Sequence, residues 1–172
     1  MEELYFIIPA IEHKQAAMEM RREWLDYEGM NIHGSLGFHR YDNYEEWLDH
    51  IENNRKGKNL KLKVPADTYF AAYNGKIVGT VNIRHYLSES LLKIGGHIGY
   101  GVRPSERRKG FATKILSMAL EKCRKLKIEK VLITCDKSNI GSARTIQKNG
   151  GILENEIEEN GEIIQRYWID IT

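Results

Sequence analysis

The sequence is poor in the features that staple or embed a chain, or that commit it to a polyanion. Its 172 residues hold two cysteines, Cys123 and Cys135, which have neither the number nor the spacing of a disulfide framework or a zinc site, so both read as reduced and buried. No stretch approaches the ~20 consecutive apolar residues that a membrane span requires. Met1-Glu2-Glu3 lacks the basic lead of a secretory signal, and a cytoplasmic location with no membrane partner is expected. An excess of one charge is missing too. The 26 basic and 24 acidic residues leave +2, and Glu154, Glu156, Glu158 and Glu159 crowd the end of the chain, which argues against a nucleic-acid partner. There is no Gly-x-x-x-x-Gly-Lys-Ser/Thr loop, which disfavours a nucleoside triphosphate module. Glu12-His13 and His33 lack metal-ligand spacing, so no metal is expected and these histidines read as ordinary surface or loop residues.

What is present fits one domain, 1–172, long enough to bury roughly 70% of its unfolded surface. Leu4 to Ile8, closed by Pro9, predicts a strand. Ala17, Met20 and Trp24, then Tyr44, Trp47, Leu48 and Ile51, are spaced three and four apart and predict two helices. Between them Asp26 to Asn43 reads as a loop or broken helix of the length that often carries function. Thr68–Tyr73 and Lys76–Tyr86 flank Asn74-Gly75, the dipeptide of a type I′ hairpin, and Asn160-Gly161 separates Glu154–Glu158 from Ile163–Ile171 in the same way. Lys56 to Lys63 reads as a basic connector. Ile115, Leu116, Ala119, Cys123 and Leu126 mark a helix, followed by a buried strand, Lys130 to Thr134. A strand, helix, strand crossover makes its two strands parallel.

The most informative segment is Arg107-Arg108-Lys109-Gly110-Phe111-Ala112, between the β-like run His97–Val102 and the helix-like run from Thr113. A helix start leaves N–H groups without intrahelical partners and carries partial positive charge, so a phosphate or pyrophosphate satisfies both. Three cationic side chains and Gly110, where backbone approaches closely, make this an anion site.

The pattern resembles the Arg/Gln-x-x-Gly-x-Gly/Ala signature of the GCN5-related N-acetyltransferase superfamily, read here at Arg107, Gly110 and Ala112. Gly96 to Pro104 looks like that family's fourth strand, and Lys130–Cys135, Asn139, a second helix and the Gly150-Gly151 pair follow in the family's order, so the resemblance covers nearly the whole chain. It implies an α/β fold of the α+β type: a central, mixed but mostly antiparallel sheet of six to seven strands, with parallel splayed strands four and five and helices on both faces. It implies acetyl-CoA as co-substrate, with Arg107, Arg108, Lys109, Gly110, Phe111, Ala112 and Thr113 around the pyrophosphate. Val102, Arg103 and Asn139 would meet the pantetheine arm, although Asn139 is equally a helix cap, and Gly101 and Ser142 are further cofactor-binding candidates. The implied activity is direct acetyl transfer to a primary amine of a small molecule or peptide, with an acyl-CoA sensor that does no chemistry as the alternative. The oligomeric state stays open, a homodimer being one option.

For such a transfer the proton on the amine is the larger obstacle. An amine of pKa ~10.4 carries a handicap of roughly 4.6 kcal/mol at pH 7, whereas a thiol near ~8.5 loses only about 2 kcal/mol by leaving unprotonated. His97 aligns with a strand position where several family members carry a glutamate base, and an imidazole suits that work, the alternative being a strand histidine that merely hydrogen-bonds a neighbour. The tyrosine that often serves as general acid aligns at Ile146, which cannot donate a proton; Tyr100 or Tyr167 could substitute from a strand, or the thiolate could depart without help. The oxyanion donor would be the amide of Gly101 or Val102. Asp136 and Arg166-Tyr167-Trp168 carry no assigned role.

Overall fold

Alternation along one hairpin divides the interior into two cores. In the computed structural model, which describes residues 3–29, 31–58 and 64–172, strand β2 (Ala66–Tyr73) pairs antiparallel with β3 (Lys76–Arg84). Asn74 and Gly75 between them take φ of 51° and 73°, the left-handed pair of a type I′ turn. Successive strand residues face opposite sides. Phe70 and Ile77 enter one core, with Ala17, Met20 and Trp24 of α1 (Lys14–Glu28) and Tyr44, Trp47 and Ile51 of α2 (Tyr44–Arg55). Ala71, Val78, Val81 and Ile83 enter the other, with Ile115, Leu116, Ala119 and Cys123 of α4 (Phe111–Lys125). Helices therefore cover both faces, and the apolar spacing read from the sequence marks their buried stripes.

The remaining elements are β1 (Tyr5–Ile7), a short α3 (Glu89–Lys93), β4 (Ile98–Val102), β5 (Lys130–Asp136), α5 (Ile140–Lys148), β6 (Ile152–Glu159) and β7 (Glu162–Asp170). Helix α3, capped by Ser88, has no counterpart in the sequence reading; five residues are too few to show a period. Helix α4 begins at Phe111, two residues earlier than expected. Residues 59–63 of the basic connector expected over Lys56–Lys63 lie outside the described residues.

The seven strands form two sheets, ordered β1-β2-β3-β4 and β5-β7-β6, and every ladder among the described residues is antiparallel. The split falls between strands four and five, as expected. It does not contain the hydrogen-bonded parallel pair that a mixed sheet implies. Among the described residues the one bridge there is antiparallel, Gly96 to Ile133, made just before β4 begins.

The segment expected to be a loop or broken helix is irregular but well packed. Helix α1 ends at Gly29, φ 73°; beyond it Ile32, Ser35, Leu36 and Phe38 are buried. The Ser35 hydroxyl donates to Ile32 O at 2.6 Å and accepts from Phe38 N, and Trp47 Nε1 donates to Ser35 O at 2.8 Å. Gly34, φ 78°, lies so close to the sheet that a Cβ there would stand 2.7 Å from Gly99 O. Cys123 and Cys135 are both free and buried.

Candidate active site

Hydrogen-bond register decides which backbone groups of β4 are available to a ligand. Arg84 N donates to His97 O and Arg103 N to Val78 O, both at 2.7 Å, and the register between them pairs Asn82 with Gly99 and Thr80 with Gly101. In an antiparallel ladder bonded and non-bonded pairs alternate. The amides of Gly99, Gly101 and Arg103 are therefore spent on β3, whereas Ile98, Tyr100 and Val102 turn N–H and C=O toward the split. Of the two amides read as oxyanion donors, Gly101 is committed to the sheet and Val102 is the one that faces out.

Strand β5 behaves alike. Lys137 N donates to Ile163 O and Ile171 N to Glu129 O, so odd-numbered residues serve β7 and Leu132, Thr134 and Asp136 point at β4. Only Leu132 is met: His97 N donates to its carbonyl at 2.8 Å, and its amide donates to His97 Nδ1 at 2.9 Å. From this joint the strands diverge around a cleft of about 790 Å³.

One end of the cleft is the start of α4. Arg108 (φ 61°) and Gly110 (φ 85°) are both left-handed and bracket the loop. No side chain caps the helix at Gly110, so the amides of Phe111, Ala112 and Thr113, which have no intrahelical acceptor, open toward the cleft these residues line. Arg107 Nε donates to Val102 O at 3.0 Å, and its guanidinium lies 5.6 Å from the Trp24 ring centre and 5.5 Å from that of Tyr27. This tie closes the loop onto β4. Glu23 of α1 fixes the same turn, accepting from Arg103 Nε at 2.5 Å and Ser105 N at 2.8 Å.

Tyr100 reaches across to α5, its hydroxyl 3.0 Å from Ser142 Oγ. Burial pushes its phenol up to about 12, beyond what the Ser142 hydrogen bond offsets, so it stays protonated at neutral pH. Asn139 Oδ1 caps α5 by accepting from Ser142 N at 3.1 Å. Both Asn139 and Ser142 line the cleft. Ile146 is fully buried against Gly151, so no polar group from α5 stands where a tyrosine was expected.

Of the residues singled out in the sequence, Tyr100, Gly101, Val102, Arg107, Arg108, Gly110, Phe111, Ala112, Thr113, Asn139 and Ser142 line this one cleft. Three do not. Arg103 is turned to Glu23 and to Ile77 O. Lys109 pairs with Glu106, which also holds Lys76. His97 is 5% exposed, its Nδ1 lone pair is taken by Leu132 N–H, and burial together with the nearby Arg84 charge drops its imidazole to about 4. Conversely His33, read as an ordinary loop residue, lines the cleft, its carbonyl held by Thr80 Oγ1 at 2.6 Å. Loop packing put it there, and no local motif in the sequence signals that. Among the described residues no group of three or more His, Cys, Asp or Glu could hold a metal ion, and no helix is long and apolar enough to cross a membrane.

A family model described as "Acetyltransferase (GNAT) family" matches residues 17–151. Solved structures share the fold at low identity. The ribosomal L7/L12 alpha-N-protein acetyltransferase RimL, in complex with coenzyme A, superposes with TM-score 0.69 at 19% identity, covering 98% of this chain and 94% of that one. A Salmonella typhimurium acetyl transferase that modifies the N-terminal serine of ribosomal protein L7/L12 gives 0.68 at 18%, covering 98% and 95%. The microcin C7 self-immunity acetyltransferase MccE, in complex with acetyl-CoA and AMP, gives 0.69 at 19%, covering 98% and 93%. No curated protein sequence matches the chain significantly.

Proposed function

The chain belongs to the GNAT acetyltransferase family, and from that premise we propose that it transfers an acetyl group from acetyl-CoA directly to a primary amine, with both substrates bound together. The observation that carries this reading is the split between β4 and β5, with unspent amides along one lip and an uncapped helix start at its end. The pyrophosphate takes the amides of the turn from Arg108 to Thr113. The pantetheine lies along β4, its amides pairing with outward-facing backbone groups that have no strand neighbour on that side. Two complexes of similar fold hold coenzyme A or acetyl-CoA, in keeping with this assignment.

Val102 N–H is then the preorganised donor for the oxyanion that forms when the amine attacks the thioester carbonyl. The amine's proton leaves on the loop side, where His33 is the histidine among the cleft's lining residues; His97, buried and already bonded, orients the strands instead. Tyr100, protonated and paired with Ser142, delivers a proton to the departing sulfur in place of the residue absent at Ile146. This role gives the sensor alternative, which rested on that absence, no observation of its own.

The test is release of free coenzyme A thiol from acetyl-CoA with a panel of primary amines; folded protein that binds no acetyl-CoA overturns the reading. Tyr100→Phe should lower kcat at pH 7 by up to about 30-fold, the ~2 kcal/mol that an unprotonated thiol of pKa ~8.5 costs as a leaving group, and the defect should shrink as pH approaches ~8.5. A pH-independent defect would remove Tyr100 from proton transfer.

A further inference from the structure

Arg84 ends β3 beside the joint of the two sheets, and its guanidinium lies flat over Gly99, where a Cβ would stand 3.3 Å from Nη2 and 3.5 Å from Nη1. Nη1 donates to Gly95 O at 3.1 Å and Gly96 O at 3.4 Å. Among the described residues Nε is buried with no hydrogen-bond partner, and Nη2 makes no bond to protein. No acid among the described residues pairs with it, and burial alone lowers the group to about 10, so it is a cation at neutral pH. A partly buried charge without a counter-charge is still costly, and holding two carbonyls through one nitrogen does not call for a planar fork with five donors.

Of the two unused donors Nε is enclosed, and Nη2 is the one that is not. Arg84 lines the main cleft and also a second hollow of about 190 Å³ bounded by Asn31, His33, Gly34, His39 and Asn82, and the two spaces share His33, Gly34 and Arg84. Asn82 Nδ2 donates to Thr68 Oγ1 at 2.9 Å, while its Oδ1 is buried without a partner. An unmatched cation and an unmatched acceptor thus border one recess. It lies on the side of β4 where Gly99 and Gly101 meet Arg84, Trp24 and the His33 loop, opposite the α4 core into which Ile98 and Tyr100 pack.

Resting on the acetyl-transfer reading, we propose that the acceptor is a small amine that carries an anionic group, carboxylate or phosphoryl, and that Arg84 binds this group through Nη2, with Asn82 bordering the same recess. The anion takes a donor that the fold leaves unused, and its charge balances the partly buried guanidinium. Amines lacking the anion leave Arg84 uncompensated in the bound complex and are rejected.

The experiment titrates the coenzyme A-loaded protein calorimetrically with three matched series: α-amino acids, their decarboxylated amines, and the corresponding aminoalkyl phosphonates. Thiol release with acetyl-CoA is followed in parallel. At least one member of an anionic series should bind and turn over about 100-fold better than its uncharged counterpart, and whether carboxylate or phosphonate wins identifies the anion. Arg84→Gln should collapse that ratio to a few-fold. Arg84→Lys, which keeps charge but loses the fork, should retain an intermediate ratio and guards against misfolding of the glutamine variant. Equal use of charged and uncharged amines by the wild type, no binding in either anionic series, or an unchanged ratio in a folded Arg84→Gln protein overturns the proposal. Loss of coenzyme A binding itself would instead overturn the acetyl-transfer reading first.

Discussion

Replacing Ala112 by aspartate is expected to weaken acetyl-CoA binding by about 100-fold or more while leaving the melting temperature unchanged or slightly higher. Ala112 is the second residue of α4, follows the uncapped Gly110 and lines the cleft. An acid in a first helical turn interacts favourably with the helix dipole and stabilises the folded chain by about 0.3–1 kcal/mol. The same carboxylate occupies the field intended for the pyrophosphate. At ~5 Å and an effective dielectric near 20, each pair of like charges costs about 3 kcal/mol, more than two decades of affinity. Stability and binding should thus move in opposite directions, which damage to the fold cannot produce. Ala112→Asn separates charge from bulk, because it fills nearly the same volume without the charge and should lose much less. Calorimetry with acetyl-CoA and thermal melts check both variants. Equal losses from Asp and Asn would assign the effect to sterics, and no loss from either would remove α4 from the cofactor site. Raising the salt to ~1 M should narrow the gap between them, since the Debye length falls to about 3 Å.

The sequence makes the Arg107–Ala112 turn readable because its chemistry is local: a helix start, its cations and its glycines are consecutive, and their consequence follows from backbone geometry alone. Hairpin turns at Asn74-Gly75 and Asn160-Gly161 are readable for the same reason, both residues of each pair having positive φ. What depends on pairing register is not. Gly101 and Val102 are adjacent and equally plausible as donors until the Thr80–Gly101 pair fixes which amide the sheet consumes. Arg84 passes unnoticed because an arginine after an apolar strand looks like a solvated end. Its isolation arises only when the Gly95–Gly99 turn folds over it. Neutral Asn82 and the distant His33 join the same recess through loop packing across some fifty residues of chain, which no spacing rule encodes.

His97 shows the same limit in the opposite sense, and its replacement should affect stability and its pH dependence rather than the chemical step. His97→Ala removes the only acceptor of Leu132 N–H at the joint, leaving a buried donor unsatisfied at about 1–3 kcal/mol besides the lost packing. For a chain of this size that corresponds to a fall in Tm of roughly 5–10 °C. His97→Asn, whose Oδ1 stands near the position of Nδ1, should recover much of it. In the folded protein the imidazole stays neutral down to about pH 4, whereas in the unfolded chain it takes up a proton near ~6.5. Throughout that window the unfolded state binds more protons, so stability must fall as pH drops from about 6.5 to 4, by up to about 3 kcal/mol for this group. Carboxylates titrate there too, so the informative quantity is the wild type minus His97→Asn difference in unfolding free energy. That difference should be flat above pH ~7 and shrink steadily below it. A base role makes a contrary demand: kcat of His97→Asn at pH 8 would drop by about 100-fold or more. Retention of kcat within about threefold, together with the shrinking stability difference, is the outcome expected of an imidazole that bolts two sheets together at the point where they part.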